Sequence, residues 1–424
     1  MSANAYAEEA ASNKITLREA LALATRENVD LKSTKLDIDI AKNNLKISKK
    51  FNNPDVVIGF NTGKAGRGQP QSVGVSQLVE IGKRDVRKKL GQENLILAQE
   101  SYKLDEFYLK MDVRKAYIEL VAAKSTYKVI EHQRKLLEEL LAIARKKAKA
   151  GKAPQIDVLQ VEIALNHLVP EENTARTNVQ SAKYNFNKTL NLREPNLIFD
   201  SYDELLEENE NFIDLMAPQP KDKLPQYKSI SDLTSSKRFD LKVAKQEVEI
   251  AKKELQLVSR QRVPDIQIAS GYLYSPQCHS SEGIYEAGAY IGGSLVNIPV
   301  FYNYSPEIKN AKLKLEQTKL NYESIENIVE NDLKSVYEKF TTAKLNLNYY
   351  NQTMLKQSED FINIAKTKYE KGESDIITLI VMEKSYQNIR TGYVQALADY
   401  YTSWIDFLKE VNDEDFTLIK TESI

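Results

Sequence analysis

The chain repeats itself over most of its length. Asp30-Leu31-Lys32, Ile40-Ala41-Lys42, Leu45 and Pro54-Asp55 return 210 positions later as Asp240-Leu241-Lys242, Ile250-Ala251-Lys252, Leu255 and Pro264-Asp265. Asp112-Val113-Arg114-Lys115-Ala116-Tyr117 returns as Asp332-Leu333-Lys334-Ser335-Val336-Tyr337, offset 220. Ile143-Ala144-Arg145, Lys147 and Gly151 return as Ile364-Ala365-Lys366, Lys368 and Gly372, offset 221. A repeat this long means two copies of one large structural unit, which limits the fold more than any local motif does.

Length alone would allow the 424 residues to form two or three compact domains. The repeat points instead to two half-units sharing one elongated body. The 59 basic and 60 acidic residues nearly cancel, so there is no basic face for nucleic acid. Cys278 is the only cysteine, which excludes an intrachain disulfide and reads as a loop thiol. No stretch reaches the ~20 apolar residues of a membrane helix. A membrane role therefore needs a β-barrel or a surface helix. Residues 1–14 are either an Ala-rich disordered start or the remnant of a signal peptide, since Ala5-Tyr6-Ala7 resembles a small-x-small cleavage end.

Proline and glycine mark out the architecture. No proline falls between Pro70 and Pro154, none follows Pro306, and Glu307 to Lys371 holds neither proline nor glycine. These runs are rich in good helix formers. A helix from about Arg84 to Lys149 would be on the order of 100 Å long. Shorter helices are expected at Leu17–Lys50 and, as its copy, Leu233–Arg260. The apolar stripe is clear at Leu136, Leu137, Leu140, Leu141, Ile143 and Ala144, but Lys, Asn and Tyr intrude elsewhere. A two-stranded coil wants a cleaner seam. Mixed stripes suit helices packed side by side in a larger hollow array. Pro170 predicts a kink or break in a helix of the first unit.

Between the helices the period changes from 3.6 to 2. Val56, Ile58 and Phe60 alternate with Asp55, Val57 and Gly59. Val73, Val75, Val79 and Ile81 share a face with Gln77, opposite Ser72, Gly74, Ser76 and Glu80. In the second unit Ile266, Ile268, Tyr272 and Tyr274 alternate with Gln267, Ala269, Gly271 and Leu273. Tyr285, Ala287, Ala289, Ile291 and Leu295 then alternate with Glu286, Gly288, Gly292 and Ser294. The pattern predicts hairpins with strands near 54–63 and 71–81, then 264–275 and 285–298. One apolar face on strands of this length matches a membrane β-barrel. Four strands cannot close one, since about eight is the minimum, so the chain must oligomerise.

With these features assembled, the sequence resembles the TolC family of outer-membrane efflux proteins from about Ile15 to Val411. The carrying pieces run in order. Leu17-Arg18-Glu19-Ala20-Leu21 opens the first helix, and Asn53-Pro54-Asp55 enters the first strand. Gln77-Leu78-Val79-Glu80-Ile81-Gly82-Lys83-Arg84 leaves the first hairpin, and Ile298-Pro299-Val300-Phe301 leaves the second. Gly151 and Gly372 turn the helix pairs, followed by Ile156-Asp157-Val158-Leu159 and Ile376-Ile377-Thr378-Leu379. The Asn-Pro entry and Gly-Lys-Arg exit look most like the heavy-metal-efflux (CusC/CzcC-like) branch.

The resemblance implies a homotrimer: a twelve-stranded outer-membrane barrel continuous with a twelve-helix periplasmic tunnel. The fold class is mainly α with a membrane β-barrel, built from a duplicated helix–hairpin–long helix–helix unit. The repeats fall at 15–200 and 229–411, joined by an equatorial segment at 201–228 and followed by a tail at 412–424. The turns at Gly151-Lys152 and Gly372-Glu373 would form the tunnel's tip, where a periplasmic adaptor docks. Family tips often read Val-Gly-Leu or Val-Gly-Thr. Here Ala150-Gly151-Lys152 and Lys371-Gly372-Glu373 depart from that. Asp157 and Tyr369 match a pair that ties inner helices together in the closed tip. An arginine and an acidic ring of the family are replaced here by Ser374, Thr378 and Val381, so Glu373 and Asp375 are the alternative gate residues. Each has a plainer reading: C-cap glycines, a carboxylate favoured at a helix start and a solvated turn.

His132, His167 and His279 lack metal spacing, and no phosphate loop, nucleophile elbow or paired-carboxylate arrangement occurs. No enzyme activity and no cofactor are expected. The reading is a passive exit duct of a tripartite efflux or type I-like secretion system, partnered by an adaptor and an inner-membrane pump. Its tip would open by helix untwisting, with the adaptor selecting the open state. The alternative is a soluble elongated coiled-coil interaction protein.

Overall fold

The computed structural model describes residues 13–60, 71–193, 198–202, 227, 230, 238–274 and 288–413. Cys278, His279, most of the 201–228 segment and all but two residues of the 412–424 tail lie outside them. The chain divides into two compact units, Met1–Ser33 with Lys103–Arg238 and Asn327–Ile424, and Thr34–Tyr102 with Phe239–Glu326. Each draws on both sequence repeats.

The elements run β1 (Asn13–Ile15), α1 (Leu17–Glu27), α2 (Val29–Ser48), β2 (Asp55–Phe60), β3 (Gln71–Val79), α3 (Lys83–Lys149), α4 (Gln155–Leu190) and β4 (Phe199–Ser201). The second half continues with α5 (Phe239–Arg260), β5 (Asp265–Tyr274), β6 (Gly288–Val296), α6 (Ser305–Tyr349), a π-helical turn (Tyr350–Met354), α7 (Leu355–Lys371) and α8 (Ile376–Val411). The fold is mainly helical, and α3 runs as one helix of 67 residues.

In the first unit, Thr16 opens α1 with a reciprocal cap. Its hydroxyl accepts the Glu19 N–H while the Glu19 carboxylate accepts the Thr16 N–H at 2.8 Å. The helix expected at Leu17–Lys50 is broken at Asn28. The Asn28 carboxamide oxygen accepts the Leu31 N–H at 2.9 Å and starts α2, while its amide nitrogen donates to the Leu190 carbonyl at 2.9 Å. One buried side chain thus satisfies orphan groups at two helix ends. β1 pairs with β4 in parallel. Around Trp404, which is fully buried, Phe340, Tyr400 and Phe407 pack with ring centres 5.0–5.9 Å apart.

The duplication survives in detail here. α4 and α8 are both 36 residues long, and both end on a left-handed asparagine, Asn191 and Asn412. α4 continues through Pro170 instead of breaking. The second repeat carries its irregularity in the other partner, as the π turn at Tyr350–Met354. There the Tyr350 hydroxyl lies against Gly392, where a Cβ would come within 2.5 Å of it.

In the second unit the four strands form one antiparallel sheet in the order β2-β3-β5-β6. Register places Ile58 opposite Val73, Val73 opposite Tyr272, Val79 opposite Ile266 and Ile266 opposite Leu295. All but Val79 are exposed, so one face of the sheet is apolar and left uncovered by the described residues. The other face carries Ser72, Gly74, Ser76, Gln267, Gly271 and Tyr290. Gly74 and Gly271 are paired and make room for the Tyr290 ring lying across them.

The Gly-Lys-Arg exit acquires a physical role in this unit. Lys83 Nζ donates to Asp265 Oδ2 at 2.7 Å, and the same carboxylate accepts the Ile81 N–H and the Asn297 amide. Arg84 donates to the Lys49 carbonyl and stacks 3.8 Å over Phe51. Asp265 is 3% exposed, so its charge is stabilised by donors and not by water.

Candidate functional site

The two helix–helix turns lie in the first unit and are built alike. The N–H of Lys152 donates to the Lys147 carbonyl at 2.9 Å, and that of Glu373 to the Lys368 carbonyl at 2.9 Å. Gly151 (φ 67°) and Gly372 (φ 77°) sit one residue earlier in the left-handed region. This is the Schellman closure, and it needs a residue without a Cβ penalty. Nothing lies within 4 Å of either glycine's missing Cβ, so both turns present open backbone. Lys152 and Glu373 are exposed and opposite in charge.

The return helices start differently. At α8, Asp375 is the N-cap, and its carboxylate accepts the Thr378 N–H at 2.7 Å. Hydrogen bonding from the Thr378 side chain, and then from its N–H, holds the Asp375 carboxyl below its ordinary pKa. The corresponding residue at α4 is Pro154, with no side-chain cap. Asp375 therefore has a helix-starting role whatever else it does, while the Glu373 side chain is free in solvent at the turn.

Asp157 lies in the first turn of α4, and Tyr369 in the last turn of α7. The structure brings them within electrostatic reach. Burial, and then the Asp157 charge, raise the Tyr369 hydroxyl above the usual tyrosine pKa. It does not join them by a hydrogen bond, because the buried Tyr369 hydroxyl has no hydrogen-bond partner among the described residues. What holds Tyr369 is Lys147, which sequence reasoning passed over. Lys147 Nζ donates to the Tyr369 carbonyl at 2.7 Å and stands 4.0 Å from the ring centre. Beneath these contacts Leu137, Leu140 and Ala144 of α3, Val158 and Val161 of α4, Ile362 and Ala365 of α7, and Ile376 and Leu379 of α8 form one buried cluster.

Among the described residues no group of three or more candidate ligands gathers for a metal ion. No described helix is long and apolar enough to cross a membrane.

A duplicated helical body with two reverse turns, joined in sequence to a sheet with one bare apolar face, is the fold of the outer-membrane channel proteins. The Campylobacter jejuni CmeC outer membrane channel superposes with a TM-score of 0.73 at 15% identity, over 96% of this chain and 88% of that one. The open-state Neisseria gonorrhoeae MtrE outer membrane channel gives 0.72 at 14% identity, over 94% and 89%. A CusC structure gives 0.74 at 13% identity, over 94% and 93%, so the likeness does not single out the heavy-metal branch. No protein-family model matches the sequence, and no curated protein matches it. The shared feature is therefore the fold.

Proposed function

We propose that the chain is one protomer of a trimeric outer-membrane exit duct in a tripartite export system, with Gly151-Lys152 and Gly372-Glu373 at the periplasmic tip. The observation that carries this is the sheet. Its four strands leave β2 and β6 as edges, and its apolar face, with Ile58, Val73, Ile268 and Ile291 exposed, has no cover among the described residues. Edges and an apolar face of this kind are liabilities in water. Both are satisfied together if three sheets close into one barrel in lipid. The soluble coiled-coil reading gives no reason for that face.

On this reading the partners are two further copies, a periplasmic adaptor docking at the turns and an inner-membrane pump supplying energy. Asp157, Tyr369, Glu373 and Asp375 are the gate candidates. Light scattering on detergent-solubilised protein tests the assembly, and planar-bilayer recordings test the pore. A stable monomer or dimer with native circular dichroism, or a trimer without ion conductance, would sink the proposal.

A further inference from the structure

The first helix hairpin contains an ion pair that the second repeats residue for residue. Arg145 on α3 and Glu162 on α4 meet at 2.8 Å with side chains 56% and 38% exposed. Adding 221, the offset of the turn glycines, gives Lys366 on α7 and Glu383 on α8. These stand 3.6 Å apart, and the Glu383 side chain is only 3% exposed. One of its oxygens, Oε2, is buried without a hydrogen-bond partner among the described residues. The same acid is therefore solvated in one hairpin and sealed, half-satisfied, in the other.

The surroundings offer little relief. From α7 the carboxylate faces Lys366, and from α3 it faces Glu139, whose charge opposes its own. The Glu171 carboxylate of α4 is taken up by Lys384, the residue after Glu383, at 2.7 and 2.8 Å. Lys366 and Glu139 also act on His132 of α3, together with Lys135 of α3 and Arg390 of α8. A buried charge with an incomplete set of partners destabilises the arrangement that buries it.

We propose that Glu383 is an acid-operated latch: taking up a proton, it tightens the second helix hairpin, while the exposed copy at Glu162 gives the first hairpin no such latch. Burial, the largest influence on Glu383, raises its pKa above the ordinary value. The packed hairpin therefore binds this proton more tightly than the opened one. Its stability rises as pH falls through the raised value toward 4.5 and is complete below that. His132 acts with the opposite sign. Burial and then Arg390 and Lys366 hold its pKa below 6.5, so its protonation loosens the packing. The consequence for transport rests on the duct reading: acid would favour the packed, closed arrangement of the Gly372 turn.

The test is hydrogen exchange by mass spectrometry on the full chain in detergent, at about pH 5 and about pH 7.5. Protection of α7–α8 peptides is divided by that of the matching α3–α4 peptides, which cancels the intrinsic pH dependence. This ratio should rise several-fold on acidification in the parent and in Glu162→Gln. It should already be high at the upper pH in Glu383→Gln and rise little further. His132→Asn should enlarge the rise, as should Lys366→Met, the check that does not depend on Glu383→Gln folding. An unchanged acid response in Glu383→Gln, or a hairpin less protected than the parent at the upper pH, overturns the latch. The readout needs no pore, so its failure is distinct from failure of the duct reading.

Discussion

Lys147 clamps Tyr369: its ammonium lies 4.0 Å from the centre of the tyrosine ring and 2.7 Å from that residue's own carbonyl oxygen. One cation thus adds a second donor to a carbonyl that already accepts the Gly372 N–H at 3.1 Å, and covers the ring beneath it. A charge-assisted bond of this kind is worth about 1.5–3 kcal/mol when shielded, and Lys147 is only half-buried. Lys147→Met should therefore lower stability by about 1–2 kcal/mol, with Lys147→Arg recovering part of it. Thermal unfolding of the detergent-solubilised protein measures this. If the methionine variant unfolds with the parent, the contact is a resting place for a solvated lysine.

The turn glycines give a cleaner case. Gly151 and Gly372 have positive φ with open space around them, so an added methyl group meets nothing and the cost is backbone strain alone. Gly151→Ala and Gly372→Ala should each destabilise by about 1–2 kcal/mol, and asparagine should cost less than alanine at both sites. Alanine variants as stable as the parent would mean that the turns relax to another closure without loss.

These two sites also show where sequence reading succeeds. The turns were legible because a left-handed C-cap leaves few residue choices, and a glycine at the same place in both repeats signals one. The strands were legible because period-2 alternation survives whichever partner each strand finds. Other features carry no such mark. The break at Asn28 interrupts a helix with no proline or glycine, because the cause is a side chain reaching the Leu190 carbonyl far along the chain. The π turn at Tyr350–Met354 goes with Tyr350 packed on Gly392, a contact set by tertiary structure. The Lys147–Tyr369 clamp joins residues 222 apart and is not duplicated, since Ala148 occupies the position matching Tyr369. The repeat displayed Lys147 but gave it no role.

The Tyr369 hydroxyl tests whether a second chain completes the site. It is buried and has no hydrogen-bond partner among the described residues of the chain. Tyr369→Phe should then be neutral or stabilising by about 1 kcal/mol, since removing an unsatisfied buried group relieves its desolvation penalty. The pH dependence has a definite sign. Burial and the Asp157 charge raise the folded-state pKa, so the parent loses stability as pH climbs above the ordinary 10.0, and the phenylalanine variant should lose less. Urea unfolding at neutral and alkaline pH measures both. A clear loss of stability in the assembled protein would assign the hydroxyl a partner from a neighbouring copy.

The sheet supplies the sharpest test of the membrane reading. Ile58 and Ile268 lie on the exposed apolar face, 56% and 45% accessible, while Gln267 points to the opposite face and donates to the Ser76 hydroxyl at 3.0 Å. In water, an arginine replacing an exposed isoleucine is nearly free. In lipid it is not: near the bilayer midplane it costs about 2–4 kcal/mol, falling toward the interfaces. Ile58→Arg and Ile268→Arg should therefore lower the yield of membrane-inserted oligomer, with the larger loss at the residue nearer the midplane. Gln267→Arg gives up one hydrogen bond, should face the lumen, and should assemble at near-parental yield. Fractionation of outer membranes, followed by electrophoresis without heating, reads inserted oligomer directly. Equal tolerance at all three positions would mean that this face never meets lipid, and the bare apolar sheet would need a protein partner instead.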